Sequence, residues 1–152
     1  CVMERGPLAL AATAMILMAH GRWICQNTRE WWLILALGAF GTALDFLLMQ
    51  AGVFRIDGHD FPPPWLIAVW LLFASTLNHS LRWLQSRLWL AALCGAIAAP
   101  LSYVAGARLG ALNIDLARLP LLALAWALLL PLAFHLSQRL LHTPTANVET
   151  AT

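Results

Sequence analysis

Residues 65–103 decide the fold and read WLIAVWLLFASTLNHSLRWLQSRLWLAALCGAIAAPLSY. Two long apolar segments in this stretch are separated by a short turn that contains Arg82 and Arg87. An apolar segment of about 20 residues is long enough to cross the roughly 30 Å hydrocarbon core of a bilayer as a helix. Polar groups inside such segments are costly in lipid unless they are paired or line a cavity. The stretch therefore predicts membrane helices that carry an internal polar site.

The composition of the whole chain excludes an ordinary soluble domain. Of the 152 residues, 61% are hydrophobic and 11% are charged, whereas a soluble domain has roughly 25% charged residues. The apolar runs are continuous and lack the alternation of barrel strands, so helices are predicted. The nine basic residues are all Arg and lie scattered at segment ends, which gives no surface for nucleic acid. The three cysteines form no CxxC pair, so neither a disulfide framework nor a thiolate metal site is expected.

We predict an all-α, polytopic transmembrane helix bundle over residues 1–142, followed by a disordered tail at residues 143–152, which are small and polar. The proline run 62–64 suits the entry of a helix, because the first helical turn needs no internal N–H partner. Trp31 and Trp32 begin another run, and this residue type is enriched at membrane interfaces. The five predicted spans are residues 8–24, 31–49, 65–83, 88–107 and 119–136.

The arginines at alternate segment ends set the predicted orientation. Five fall on one side and four on the other, and the larger group marks the cytoplasmic side. The C-terminal tail is therefore expected in the cytoplasm and Cys1 outside, so an odd number of upstream spans is expected, most simply a sixth span. The first group is Arg22, Arg29, Arg82, Arg87 and Arg139, and the second is Arg5, Arg55, Arg108 and Arg118.

Four polar residues in the third predicted span form one stripe. Their spacing of 0, 3, 4 and 7 places them on a single helical face. One interpretation is an interhelical polar clasp near the interface. The other is a head-group or carboxylate site, in which the arginine supplies charge and the other side chains supply hydrogen-bond donors. The stripe consists of Ser75, Asn78, His79 and Arg82.

Asp45 is predicted to face the inside of the bundle. It shares a helical face with Gly38, Gly41 and Thr42, and small residues allow another helix backbone to approach closely. The structural interpretation is a buried hydrogen-bonding or ion-pair residue that locks helices together; a ligand or proton site is the alternative. We predict that Asp45 pairs with Arg108 and Tyr103, which lie at the same level of the bundle.

The fourth predicted span carries two rows of small residues at a spacing of four. Such rows are typical surfaces for close helix contact in membranes. Both rows are therefore predicted to pack against other helices. The first row is Ala91, Gly95 and Ala99, and the second is Ala98, Ser102, Gly106 and Gly110.

The sequence contains no complete catalytic constellation, and no cofactor or metal is expected. The loop at residues 57–60, Asp-Gly-His-Asp, lacks a recognised ligand spacing and is interpreted as a solvated turn. His79, His135 and His142 are too few for an oxygen-activating di-iron membrane enzyme. No Gly-x-Ser-x-Gly, HExxH or phosphate-binding glycine loop occurs.

Two blocks of the sequence resemble the domain-of-unknown-function family 2878: residues 71–83, LLFASTLNHSLRW, and residues 100–111, PLSYVAGARLGA. Asp45 and the Gly-Val-Phe run at 52–54 add to the resemblance, which covers almost the whole chain except the tail. The resemblance implies a small bacterial inner-membrane protein with one more helix upstream. It also implies a setting beside genes for modifying unsaturated membrane fatty acids, such as cyclopropane-type methylation. It supplies no catalytic residues.

These observations favour a non-catalytic membrane subunit or lipid-binding module that supports the modification of acyl chains by a partner enzyme. The expected partners are membrane lipid and a lipid-modifying enzyme or other membrane subunits. One alternative is a small transporter or lipid flippase, in which Asp45 and the polar stripe line a path. The other is a membrane enzyme that uses His79 as an acid or base on a lipid.

Overall fold

The computed structural model describes residues 6–23, 28–77 and 79–141, and this part of the chain is built from five α-helices. The predicted tail at 143–152 lies outside the described residues. Two short 3-10 helices, Arg82–Leu84 and Leu116–Arg118, lie in the connections, and β1 (Phe54–Arg55) pairs with β2 (Asn113–Ile114). The helices are α1 (Gly6–Trp23), α2 (Thr28–Gln50), α3 (Pro64–Thr76), α4 (Leu88–Arg108) and α5 (Leu119–Leu141).

Three helical segments are long and apolar enough to cross a membrane: Thr28–Gln50, Leu88–Arg108 and Leu116–Arg139. They correspond to α2, to α4 and to α5 with the 3-10 turn before it. The chain is thus an all-α, multi-pass membrane protein. The prediction of five spans was wrong, because α1 and α3 do not reach this length and hydropathy within the described residues.

The helix α3 ends at Thr76. The sequence predicted that this span continues to residue 83, so its predicted end was wrong. The hydroxyl groups of Ser75 and Thr76 donate hydrogen bonds to the carbonyl oxygens of Leu72 and Phe73, each at 2.7 Å. Such side-chain bonds compete with the helical backbone, and the chain then turns. The 13 residues of α3 rise roughly 20 Å, which is shorter than a hydrocarbon core of about 30 Å.

The helix α1 is also less apolar than a span requires. Its last turn contains His20, Gly21 and Arg22, so the polar end shortens the apolar segment. Gly21 lies against the ring of Trp31, where an added Cβ would come within 2.5 Å of a ring carbon. This close approach joins the end of α1 to the start of α2.

The helices pack in the spatial order α1, α3, α2, α5, α4. The indole of Trp70 on α3 lies directly over Gly41 on α2, and the backbone of Trp126 on α5 lies over Gly95 on α4. Within the described residues the backbones of α3 and α4 do not pack against each other. The bundle is therefore a curled row of helices with a gap between α3 and α4.

The two short strands form an antiparallel ribbon at one end of the bundle, with Phe54 opposite Ile114 and Arg55 opposite Asn113. Phe54 is buried against α4, and its ring meets the Tyr103 ring edge-on at 5.1 Å. The ribbon thus fixes the connections that lie above the gap between α3 and α4.

Gly41→Ala should destabilise the protein by about 1–3 kcal/mol, as overpacked cores do. An added Cβ would lie 2.1 Å from ring carbons of Trp70, so the indole must move away from α2. Gly106→Ala is the matched control, because its Cβ would meet nothing closer than 3.7 Å. Thermal unfolding in detergent measures both variants. Equal stability of the two variants would contradict this packing.

Candidate functional site

A buried carboxyl group ties three helices together. Asp45 on α2 is 0% exposed. Its Oδ1 accepts a hydrogen bond from the Tyr103 hydroxyl of α4 at 2.5 Å, and its Oδ2 accepts one from Nε1 of Trp70 on α3 at 2.6 Å. A buried polar group is costly unless it is hydrogen-bonded, and here both carboxyl oxygens have a donor.

Aromatic rings surround this carboxyl group and hold its two donors in place. The Trp70 indole stacks on the Trp126 indole of α5, with ring centroids 5.0 Å apart and planes 11° from parallel. Phe73 meets both indoles edge-on, at 5.9 Å and 5.3 Å. The indole nitrogen Nε1 of Trp126 is buried, and it makes no hydrogen bond of standard geometry to any described residue. It lies close enough to the Tyr103 hydroxyl to interact with it.

The gap between α3 and α4 is an apolar groove with a volume of about 490 Å³. The rings of Trp70, Tyr103 and Trp126 line it beside the buried carboxyl group. Leu81 and Leu84 lie at one end of the groove, because they precede α4, and Ala111 and Leu112 lie at the other end, because they follow it. The wall from α4 consists of Cys94, Gly95, Ala98, Ala99, Ser102, Tyr103 and Gly106.

The two rows of small residues on α4 have different roles. The row Ala91, Gly95 and Ala99 is buried, and Gly95 lies so close to α5 that an added Cβ would be 2.5 Å from the Trp126 carbonyl oxygen. The prediction for the other row was wrong. Ala98, Ser102 and Gly106 line the groove, where their small size leaves space, and Gly110 follows the helix with a positive φ of 74°.

The predicted polar stripe does not form a single helical face, because α3 ends before most of it. Ser75 is buried and bonds to the Leu72 carbonyl oxygen. His79 lies in the turn that follows α3, and Arg82 is exposed at the start of a 3-10 helix. Asn78 lies outside the described residues. A ligand-binding role for these side chains stays a prediction.

The predicted pairing of Asp45 with Tyr103 and Arg108 is also only partly present. The structure brings Asp45 and Tyr103 together. Arg108 is exposed in the last turn of α4. Asp45 and Arg108 both lie within the described part of the chain, and they form no ion pair with each other. Five helical positions separate Tyr103 from Arg108, which turns the two side chains about 140° apart around the helix axis.

Sequence reasoning missed Trp70 as a partner of Asp45 and missed the contact between Glu30 and His79. Trp70 lies inside its apolar segment and not at an end, where membrane tryptophans are enriched; that position was the available signal. Glu30 and His20 lie near the ends of their helices, and the structure buries both and brings them beside His79. The predicted solvated turn at 57–60 is exposed.

A family model described as "Protein of unknown function (DUF2878)" matches residues 1–132. The chain belongs to this family. The match confirms the resemblance carried by residues 71–83 and 100–111, and DUF2878 membership assigns no activity. No curated protein and no solved structure matches the chain.

Asp45→Ala should destabilise the protein by more than about 2 kcal/mol, because it leaves the Trp70 and Tyr103 donors unpaired in the core. Tyr103→Phe removes one donor and leaves Trp70 in place, so a smaller loss of about 1 kcal/mol is expected. Unfolding in detergent, followed by tryptophan fluorescence, measures both. Asp60→Ala on the exposed loop is the control. A loss for Asp45→Ala no greater than that for Asp60→Ala would refute the role of the hydrogen bonds that join Asp45 to Trp70 and Tyr103.

Proposed function

We propose that this membrane protein binds a phospholipid, with one acyl chain in the groove between α3 and α4 and the phosphate near Arg82. The observation that carries the proposal is the groove itself. It is lined almost wholly by apolar side chains and lies beside α4 and α5, two of the helices that are long and apolar enough to span a membrane. In a bilayer, an apolar groove along α4 would face the acyl chains.

The dimensions of the groove suit a single acyl chain. Its wall on α4 extends from Cys94 to Gly106, and twelve helical steps amount to about 18 Å. Half of a hydrocarbon core of roughly 30 Å is about 15 Å, so the groove is about as long as one leaflet is thick. Its volume of about 490 Å³ lies in the range of ordinary ligand sites.

The energetics favour a role for the head group. A chain that leaves the bilayer for an apolar groove gains little hydrophobic free energy, because both environments exclude water. Binding must therefore come from close packing and from polar contacts. Arg82 is exposed and lies between Leu81 and Leu84, which line one end of the groove. A guanidinium at that place can bind phosphate through two hydrogen bonds.

The proposed role is non-catalytic: the protein presents a bound acyl chain to a partner enzyme that modifies it. The groove supports the binding step, and the family setting described above supports the partner. We propose the bacterial inner membrane as its location, with the C-terminus in the cytoplasm. In that orientation Arg82 lies on the cytoplasmic side, where anionic phospholipids create a negative surface potential.

One contact favours a second candidate, an enzyme that uses His79 as acid or base on a lipid. Glu30 Oε1 lies 2.6 Å from His79 Nε2, and a carboxylate at hydrogen-bond distance orients an imidazole for proton transfer. In that case His79→Gln abolishes turnover and leaves lipid occupancy unchanged. The binding-module proposal predicts no turnover in the wild type.

The double variant Ser102→Leu and Gly106→Leu should fill the groove and abolish acyl-chain binding. Ala105→Leu is the control, because Ala105 is exposed on the same helix and does not line the groove. The measurement uses a phospholipid with a photoreactive group on its acyl chain, and mass spectrometry of peptides locates the cross-links. Cross-links on α3 and α4 should disappear only in the double variant. Equal labelling of both variants would refute the proposal.

Arg82→Gln should weaken the binding of an anionic phospholipid about fivefold, since one basic residue near a membrane surface contributes about 1 kcal/mol. Arg108→Gln is the control at the opposite end of α4. Both arginines are exposed, so neither change should affect folding. Competition between labelled and unlabelled phospholipid in nanodiscs gives the relative affinities. Indistinguishable affinities of the two variants would place the head group elsewhere.

A further inference from the structure

Three potential metal ligands converge at the end of the bundle where Arg82 and Arg87 lie. This end is separate from the hydrogen bonds that join Asp45 to Trp70 and Tyr103. His20 lies in the last turn of α1, Glu30 in the first turn of α2 and His79 in the turn after α3. One ligand atom from each residue lies within 4.8 Å of the other two. Residues that are far apart in sequence, on three separate elements, thus meet at one point.

The imidazole of His20 is buried without an evident structural reason. The residue is 8% exposed, and its Nε2 has no hydrogen-bond partner among the described residues. The nearest charged atom, Glu30 Oε1, is 3.7 Å away, which exceeds hydrogen-bond distance. An unpaired buried nitrogen is unfavourable, because it has lost its hydrogen bonds to water and gained none in the protein. A ligand between His20 and Glu30 would remove that cost.

We propose that His20, Glu30 and His79 bind a divalent transition-metal ion, with Zn²⁺ as the best match. Two imidazoles and one carboxylate are an established ligand set for zinc with a fourth, open position. The atoms that lie closest to one another in the two histidine–glutamate pairs are His20 Nε2, Glu30 Oε1 and His79 Nε2. Imidazole nitrogen and carboxylate oxygen are also acceptable to other first-row divalent ions.

The two histidine–glutamate separations lie on either side of the value for a tetrahedral ion. Metal–ligand bonds of about 2.0–2.1 Å place tetrahedral ligand atoms about 3.3–3.4 Å apart. The separation of His20 Nε2 from Glu30 Oε1 is 3.7 Å, whereas His79 Nε2 and Glu30 Oε1 are 2.6 Å apart. The separation between His79 Nε2 and Glu30 Oε1 must therefore widen by less than about 1 Å. The His79 side chain is 37% exposed on a turn, where such a shift meets little resistance.

The burial of the ligands suggests where a water molecule would bind. The side chains of His20 and Glu30 are only 9% and 10% exposed, whereas that of His79 is open to solvent. The fourth position of the ion therefore lies on the His79 side. The competing explanation is a clasp made only of hydrogen bonds, in which the Glu30–His79 bond joins α2 to the turn and no metal binds.

Zinc binding to the full chain distinguishes the two explanations. The protein is purified without a polyhistidine tag, treated with chelator and titrated with Zn²⁺ in detergent. We expect about one zinc per chain and a melting temperature that rises with zinc. His20→Gln and Glu30→Gln should lower the zinc affinity at least about 100-fold, whereas His135→Gln, at an exposed site on α5, should behave as the wild type.

Glu30→Gln is the sharpest variant, because its amide oxygen still accepts a hydrogen bond from His79 but binds zinc poorly. Absence of zinc binding in the wild type, or equal affinity in Glu30→Gln and wild type, would overturn the proposal. Should the variants not fold, zinc-edge X-ray absorption of the wild-type protein decides. Two imidazole rings in the first shell are expected, and fewer than two would overturn the assignment.

Discussion

The structure depends on one buried carboxyl group. Asp45 accepts hydrogen bonds from Trp70 and Tyr103, which come from two helices whose backbones do not touch each other. The carboxyl group therefore acts as a spacer as well as a link: it holds α3 and α4 to α2 at a fixed separation. The groove occupies that separation: the rings of Trp70, Tyr103 and Trp126 lie at its floor, and the small residues Ala98, Ser102 and Gly106 line it along α4.

Helix packing around the groove follows the distribution of residue sizes. Gly41 and Gly95 let Trp70 and the α5 backbone approach closely, and these contacts are tight enough to exclude even a methyl group. On the other face of α4, the equally small residues Ala98, Ser102 and Gly106 line the groove. The same residue type thus closes one side of α4 and opens the other. The two faces differ because the hydrogen bonds of Asp45 with Trp70 and Tyr103 hold α3 at a distance from α4, whereas α5 packs directly on the opposite face.

Composition and spacing were sufficient to predict an all-α membrane protein and to place Asp45 toward the bundle interior, because hydropathy and helical periodicity are local properties. The length of α3 was not predictable in this way, since hydropathy alone would extend the helix to residue 83, whereas it ends at Thr76. The partner Trp70 and the convergence of Glu30 with His79 depend on contacts between distant segments. The groove depends on two helices that fail to meet, and no single segment encodes that.

The shortness of α3 affects the bilayer around the protein. Its 13 residues cover roughly 20 Å, about 10 Å less than a typical hydrocarbon core. Lipids beside such a wall thin or tilt, at a cost of fractions of a kcal/mol per Å of hydrophobic mismatch. Because α3 is one wall of the groove, a bilayer around this protein would be deformed at the groove's mouth. Under the proposed function, an acyl chain that entered the groove would relieve part of this mismatch, so the short helix itself would favour entry.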